Sequence, residues 1–266
     1  MLSPRLIATD LDGTLLRSDG SVSDRTRDAL AGCARAGIGV VFVTARPPRV
    51  MHDIVARAGH VATAICANGA MVHDFAADTS VYVHEFAAEA ARAIVEVLRP
   101  VLPDTGFALE TGERVWHDGA YRIGLLSDTQ RYLAEPWDSV WGEVRRVVKV
   151  LARSGTHNAD EMLALARGVL TLPAEISHSG GRGLVEISPP GATKASTLAW
   201  YCARRGIDPA EVVAFGDMPN DLPMLAWAGT SYAVANAHPD VRRGATGVTG
   251  SNNEDGVAAV LEALVG

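Results

Sequence analysis

The chain is poor in cysteine: three among 266 residues, Cys33, Cys66 and Cys202, with no two in a CxxC pair. An odd, dispersed set argues against a disulfide framework and offers no spacing for a structural zinc site. Each lies among apolar neighbours, so buried thiols in a reducing compartment are expected. No stretch approaches the roughly 20 apolar residues of a membrane span. The opening MLSPRLIATDLDGTLL has a short apolar run broken by Asp10 and Asp12, unlike a signal-peptide core with its cleavage site. A soluble, cytoplasmic protein with no membrane partner is expected. Positive charge is not in excess either: 24 Lys and Arg stand against 31 Asp and Glu, a formal net charge of -7. Such a chain gains nothing from the electrostatic term that drives nucleic-acid binding, so no nucleic-acid partner is expected. If it handles phosphates, a metal or a few placed basic residues must supply the positive charge. Repeats and low-complexity tracts are absent from the sequence as well.

What is present is a core-forming composition, 48% hydrophobic and 21% charged, which argues against disorder. RLIATD reads as a buried strand ending in carboxylates, and Ser23 as the cap of a helix that Gly37 stops. IGVVFVT is a continuous β-branched run, the mark of a parallel strand covered on both faces. With the helix at VMHDIVARAG and the strand at ATAICAN, this gives β-α-β-α-β and a Rossmann-like, doubly wound parallel sheet. Near residue 69 the rhythm changes. AMVHD and SVYVHEF look like a hairpin, and mixed strands, helices and a Trp-rich irregular stretch follow. From Pro189 the α/β alternation returns. The expected architecture is an α/β core split between residues 1–80 and 189–266, with an inserted α+β cap at 81–188.

The chemistry-bearing residues fall at strand ends. Asp10 and Asp12 follow the first strand, Thr44 the second, and Asp217 the strand VVAF, while Lys194 opens the preceding helix. In open parallel sheets ligands bind outside the carboxyl ends of the strands, so these side chains converge. Carboxylates at i and i+2 with a third from another strand make an all-oxygen site suited to Mg2+. The simplest chemistry is covalent: Asp10 attacks phosphorus, and water hydrolyses the aspartyl-phosphate. Asp12 is placed to protonate the leaving oxygen and later deprotonate the water. Thr44 and Lys194 can hold the transferring oxygens. Taken singly, a DxD in a turn, a Thr ending a strand or a Lys opening a helix is ordinary; their ordered joint occurrence is not.

DLDGTLL, FVTAR, Lys194 in PPGATK, and GDMPNDLPML together resemble the four ordered motifs of the haloacid dehalogenase superfamily. CANGAMVHD, the inserted segment of about a hundred residues, VANAHPDV and SNNEDGVAAVLE resemble its Cof-type subgroup. The resemblance implies a phosphatase core with a cap. It implies that Asp10 is nucleophile and metal ligand, and that Asp12 is acid/base with its backbone carbonyl as a second metal ligand. It further implies that Asp217 is the acidic metal ligand, with Asn220 and Asp221 in support, and that the Asn68-Gly69 turn faces the phosphate. An Asp at position 12 is of the phosphatase type and argues against the dehalogenase branch. Thr44 stands where Ser is also used, and Met218-Pro219 replaces a commoner smaller pair.

Arg46, two residues after Thr44, is a candidate substrate contact, with an exposed loop arginine as the alternative. His117 and His178 are weaker candidates, and Trp116, Trp137 and Trp141 are expected in the cap core. The expected function is Mg2+-dependent hydrolysis of a small phosphorylated metabolite. A sugar-phosphate phosphotransferase or mutase and a non-catalytic sensor of such metabolites are the alternatives. The sequence decides neither the substrate nor between monomer and homodimer.

Overall fold

The computed structural model describes residues 4–59, 61–122, 129–178 and 183–266. The chain opens with strand β1 (Leu6–Thr9), entirely buried, followed by helix α1 (Asp24–Arg35). Ser23 caps α1 by accepting from the Thr26 amide, and Gly37 follows it at φ +73°. Strand β2 (Gly39–Val43), helix α2 (His52–Ala58) and strand β3 (Thr63–Cys66) complete the predicted β-α-β-α-β unit. The hairpin β4 (Met71–Asp74) and β5 (Thr79–Val83) then adds two antiparallel strands to the same sheet.

After Val83 the chain enters a second layer system. It contains β6 (Phe86–Ala87), α3 (Ala88–Leu98), β7 (Thr105–Glu110), β8 (Val115–His117), β9 (Arg131–Leu133), α4 (Val140–Glu143) and β10 (Arg146–Val147). It continues through β11 (Lys149–Ser154), α5 (Ala159–Val169), β12 (Glu175–Ser177) and β13 (Leu184–Ser188). Part of the irregular Trp-rich stretch, 123–128, lies outside the described residues. The return segment holds α6 (Lys194–Ala203), β14 (Val212–Gly216), α7 (Leu222–Trp227), β15 (Thr230–Ala233), α8 (Pro239–Gly244), β16 (Gly247–Val248) and α9 (Gly256–Val265).

The first sheet has the order β16-β15-β14-β1-β2-β3-β4-β5, parallel from β16 through β3. It is therefore a doubly wound α/β sheet with an antiparallel edge, and β1 sits at the switch point between β14 and β2. The second sheet has the order β12-β13-β11-β7-β8-β9, with a short β6-β10 pair beside it. Each sheet has its own apolar core. Ile7, Phe42, Ile65 and Phe215 are fully buried in the first, Ile94, Leu98 and Phe107 in the second. Trp116, Trp137 and Trp141 pack against the second core, as their sequence context suggested. The second sheet is sharply two-faced. Phe107, Leu109, Val150, Ala152, Val185 and Ile187 turn into the apolar core, while the alternate positions Glu110, Lys149 and Glu186 occupy the other face. All three cysteines are buried free thiols.

Candidate active site

Asp10, Thr44, Asn68 and Asp217 each lie just past the carboxyl end of β1, β2, β3 and β14, four neighbours in the sheet. The strand ladder fixes their spacing: the Asp10 amide donates to Phe215 O at 3.0 Å and the Thr44 amide to Ile65 O at 2.8 Å. Asn68 takes a left-handed conformation, φ +57°, and its amide donates to Thr44 O at 3.0 Å. Helix α6 begins at Lys194 because Thr193 and Ser196 form a reciprocal capping box.

Lys194 is the hub. Its Nζ donates to Asp10 Oδ1 at 2.7 Å and to Asp221 Oδ1 at 2.7 Å, and the residue is only 3% exposed. Asp221 Oδ2 accepts from the amides of Asp217 and Met218 at 3.1 and 3.0 Å, so the protein already employs both of its oxygens. Asp217 Oδ1 accepts from Thr14 Oγ1 at 3.1 Å. Two glycines make room. Gly13, at φ +82°, carries no Cβ where one would fall on Asp217 Oδ2. Gly69, at φ +101°, lies so close to the Thr193 carbonyl that a Cβ would overlap it. Both positions need glycine for backbone angle and for space.

The Asp12 carboxylate stands apart from this cluster. It accepts a bidentate pair from Arg46, Nε to Oδ2 at 2.7 Å and Nη2 to Oδ1 at 2.6 Å. Arg46 is thus no free loop arginine: its side chain is 20% exposed and braced on a neighbour in the site. Asn220 Nδ2 lies 3.4 Å from Asn68 Oδ1, while Asn68 Nδ2 and Asn220 Oδ1 are buried without a protein partner. A buried amide donor left open beside Thr44 and Lys194 is what an anionic oxygen would satisfy. His117 and His178 are engaged within the second layer system, His117 with the Asp118 carbonyl and His178 with Asp160.

Asp10, Asp217 and Asp221 bring carboxylate oxygens within 4.8 Å of one another. Three buried carboxylates face one buried lysine, and the titration behaviour follows. Burial, then the Asp221 charge, pushes the Asp217 carboxyl from 3.8 up to about 7. Burial raises Asp10 well above the usual carboxylate range despite Lys194. Burial alone would lower Lys194, but Asp10 and Asp221 outweigh it and raise it. The donor set is all oxygen and carries surplus negative charge, so Asp10, Asp217 and Asp221 are carboxylates that could hold a hard divalent cation.

A stability prediction follows for the cation-free protein. A folded carboxyl with a raised pKa holds its proton while the unfolded one has lost it, so folding stability falls as pH rises through that window. Chelated protein should therefore lose thermal stability between about pH 4 and about pH 7, the Asp217 window. Divalent cation should restore it. Melting with and without cation should show a larger gap at pH 8 than at pH 5; an equal gap would mean the cluster is not where the cation binds.

Sequence reasoning did not assign Thr14, which sits inside the quoted DLDGTLL motif, nor two contacts joining the layer systems. Arg49 donates a bidentate pair to Glu110 at 2.5 and 2.8 Å. Lys149 Nζ donates to Glu186 at 2.6 Å and to Ala45 O, one residue past Thr44, at 2.8 Å. Arg49 in FVTARPPR could have been noticed as a second basic residue after Thr44; its partner could not. Among the described residues no helix is long and apolar enough to cross a membrane.

Known proteins resemble this chain in sequence and in fold. A sequence profile described as haloacid dehalogenase-like hydrolase matches residues 7–261. The Bacillus subtilis (strain 168) 5-amino-6-(5-phospho-D-ribitylamino)uracil phosphatase YwtE is 27% identical over 286 residues, covering 98% of each chain. The Escherichia coli (strain K12) pyridoxal phosphate phosphatase YbhA is 27% identical over 277 residues, again covering 98% of each. The solved structure of a haloacid dehalogenase-like hydrolase from B. subtilis superposes with a TM-score of 0.84 at 26% identity, covering 97% of this chain and 99% of that one.

Proposed function

Because this chain belongs to the haloacid dehalogenase-like hydrolases, we propose that it is a magnesium-dependent phosphatase of small phosphorylated metabolites, acting through an aspartyl-phosphate on Asp10. The observation that carries this reading is the buried Asp10 carboxylate bridged by Lys194 to Asp221 beside Asp217, at the switch point of the sheet. A bound magnesium ion, held by the side chains of Asp10 and Asp217 and the Asp12 carbonyl, would supply the positive charge that lets one anion approach another.

The remaining work belongs to the side chains. An Asp10 oxygen bonds to phosphorus as the ester P–O bond breaks. The Asp12 carboxyl gives its proton to the leaving oxygen, then takes one from the water that attacks the aspartyl-phosphate, releasing inorganic phosphate and regenerating Asp10. Thr44, Lys194, the Asn68-Gly69 turn and Asn220 line the phosphoryl oxygens, and Asp221 holds Lys194 and the Asp217 loop. Residues 1–80 and 189–266 carry this chemistry. The cap, 81–188 apart from the last residues of β5, which stay in the first sheet, presents Glu110, Lys149 and Glu186 to the leaving group's side and sets its identity.

Arg46 completes the phosphate site. A bound phosphate would compete with the Asp12 carboxylate for the Arg46 guanidinium. Arg46→Ala should raise KM for a phosphomonoester roughly tenfold to a hundredfold, the worth of charge-assisted hydrogen bonds. Steady-state kinetics check this, and an unchanged KM would remove Arg46 from the substrate site.

The test of the whole reading is phosphate release from a panel containing 5-amino-6-(5-phospho-D-ribitylamino)uracil, pyridoxal phosphate and sugar phosphates, the first two chosen from the activities of similar proteins. Free phosphate should appear with magnesium and no acceptor, and stop in excess EDTA. Transfer to a sugar hydroxyl without phosphate release would replace the hydrolase by a phosphotransferase.

A further inference from the structure

Away from the carboxylate cluster, a second group of metal-type ligands gathers at the antiparallel edge of the first sheet. His52 opens α2, His73 lies on β4, and Asp78 ends the turn into β5; one ligand atom from each lies within 4.8 Å of the others. His73 Nε2 is 3.3 Å, and His52 Nε2 3.8 Å, from the same oxygen, Asp78 Oδ1. Ligands bonded at about 2.0–2.1 Å to a tetrahedral zinc ion stand about 3.3 Å apart, so both spacings are near closure.

Local features hold the group in this form. The β4-β5 ladder shifts register between Val72 and His73, and such a bulge re-aims a side chain. Asp78 adopts φ +48°, unusual for a residue with a side chain. His73 is buried, and its Nδ1 is 3.1 Å from Ser80 Oγ. When Nδ1 donates to that hydroxyl, the Nε2 lone pair faces Asp78, the outer-shell arrangement that prepares an imidazole for a metal. The two histidine rings are near perpendicular at 80°, and Phe75 packs on the edge of both, which limits their rotation.

We propose that His52, His73 and Asp78 form a binding site for a borderline divalent transition ion, zinc in particular, with water completing the shell. Two imidazole nitrogens and one carboxylate suit zinc, and the donors differ from the all-oxygen set of Asp10 and Asp217. Occupancy ties the start of α2, three residues after Arg49, to the hairpin from which the chain leaves the first sheet. The site is independent of the phosphatase reading and stands or falls separately.

The test uses the full chain, stripped with chelator and then saturated with magnesium to fill the carboxylate cluster. Zinc is titrated against a chromophoric chelator, and cobalt(II) is added in parallel for its visible spectrum. One equivalent of zinc should bind in the presence of excess magnesium, and cobalt should give the intense bands of a four-coordinate N/O site. His52→Gln and Asp78→Asn should each weaken zinc binding by roughly tenfold to a hundredfold or more, since even outer-shell losses cost that much. His52 is largely exposed and Asn tolerates the Asp78 backbone angle, so both variants should fold. Asp10→Asn should keep the tight zinc equivalent. Absence of zinc binding tighter than about 10 μM, its survival in both edge variants, or its loss in Asp10→Asn would overturn the proposal.

Discussion

Asp10→Asn is expected to leave the fold intact and remove essentially all turnover. The amide is near-isosteric with the carboxylate, and the native carboxyl is one that burial already drives toward the neutral form. Replacing it removes one buried charge from a cluster with too many, while Lys194 keeps Asp221 as a partner at 2.7 Å. The chelated variant should melt at or above the temperature of the chelated native protein. Activity behaves oppositely. If Asp10 is the nucleophile proposed above, its removal raises the barrier by several kcal/mol, a loss of about a thousandfold or more. Initial rates with magnesium and circular-dichroism melts measure the two effects separately. A variant retaining a tenth of the native rate would rule out covalent catalysis by Asp10.

The sequence exposed the parts of this site that backbone periodicity controls. LIAT, GVVFV, TAIC and VVAFG are short apolar runs that read as buried strands, and each is followed within two residues by its candidate site residue. Position at a strand's carboxyl end could therefore be read without knowing the fold in detail. The Asn68-Gly69 turn was legible as a motif, but its cause was not. Gly69 is required because the Thr193 carbonyl crosses it, a contact between residues more than a hundred positions apart. The pairing of Arg46 with Asp12 was likewise invisible, because it depends on two loops from different strands meeting side by side. Within the cap the register of β11 against β7 and β13 puts Lys149, Glu110 and Glu186 on one face. A one-residue slip would have sent them into the apolar core, and no local pattern in the irregular Trp-rich stretch fixes that register. The short strand β9 went unread for the same reason: three residues carry too little periodicity.

Lys194→Met should be the most destabilising of the conservative changes at the site, and should inactivate the enzyme as well. Methionine matches the length of the lysine stem but removes the one cation that Asp10 and Asp221 share. Asp221 is fully buried, with its other oxygen tied to two backbone amides, so it cannot turn to solvent. Breaking a buried pair by removing one partner costs about 3–5 kcal/mol, because the remaining charge stays desolvated. The cost should appear in full in chelated protein at pH 8 and shrink at pH 5, where Asp217 carries a proton. It should also shrink with magnesium, which replaces part of the missing charge. Adding Asp221→Asn to Lys194→Met should recover part of the stability by deleting the stranded anion, yet recover no activity, since Asp10 would still lack its cationic neighbour. Urea unfolding of the four proteins gives this cycle directly. If Lys194→Met alone changed stability by less than about 1 kcal/mol, the lysine would not be compensating the carboxylates, and its place in the site would have to be assigned to substrate binding alone.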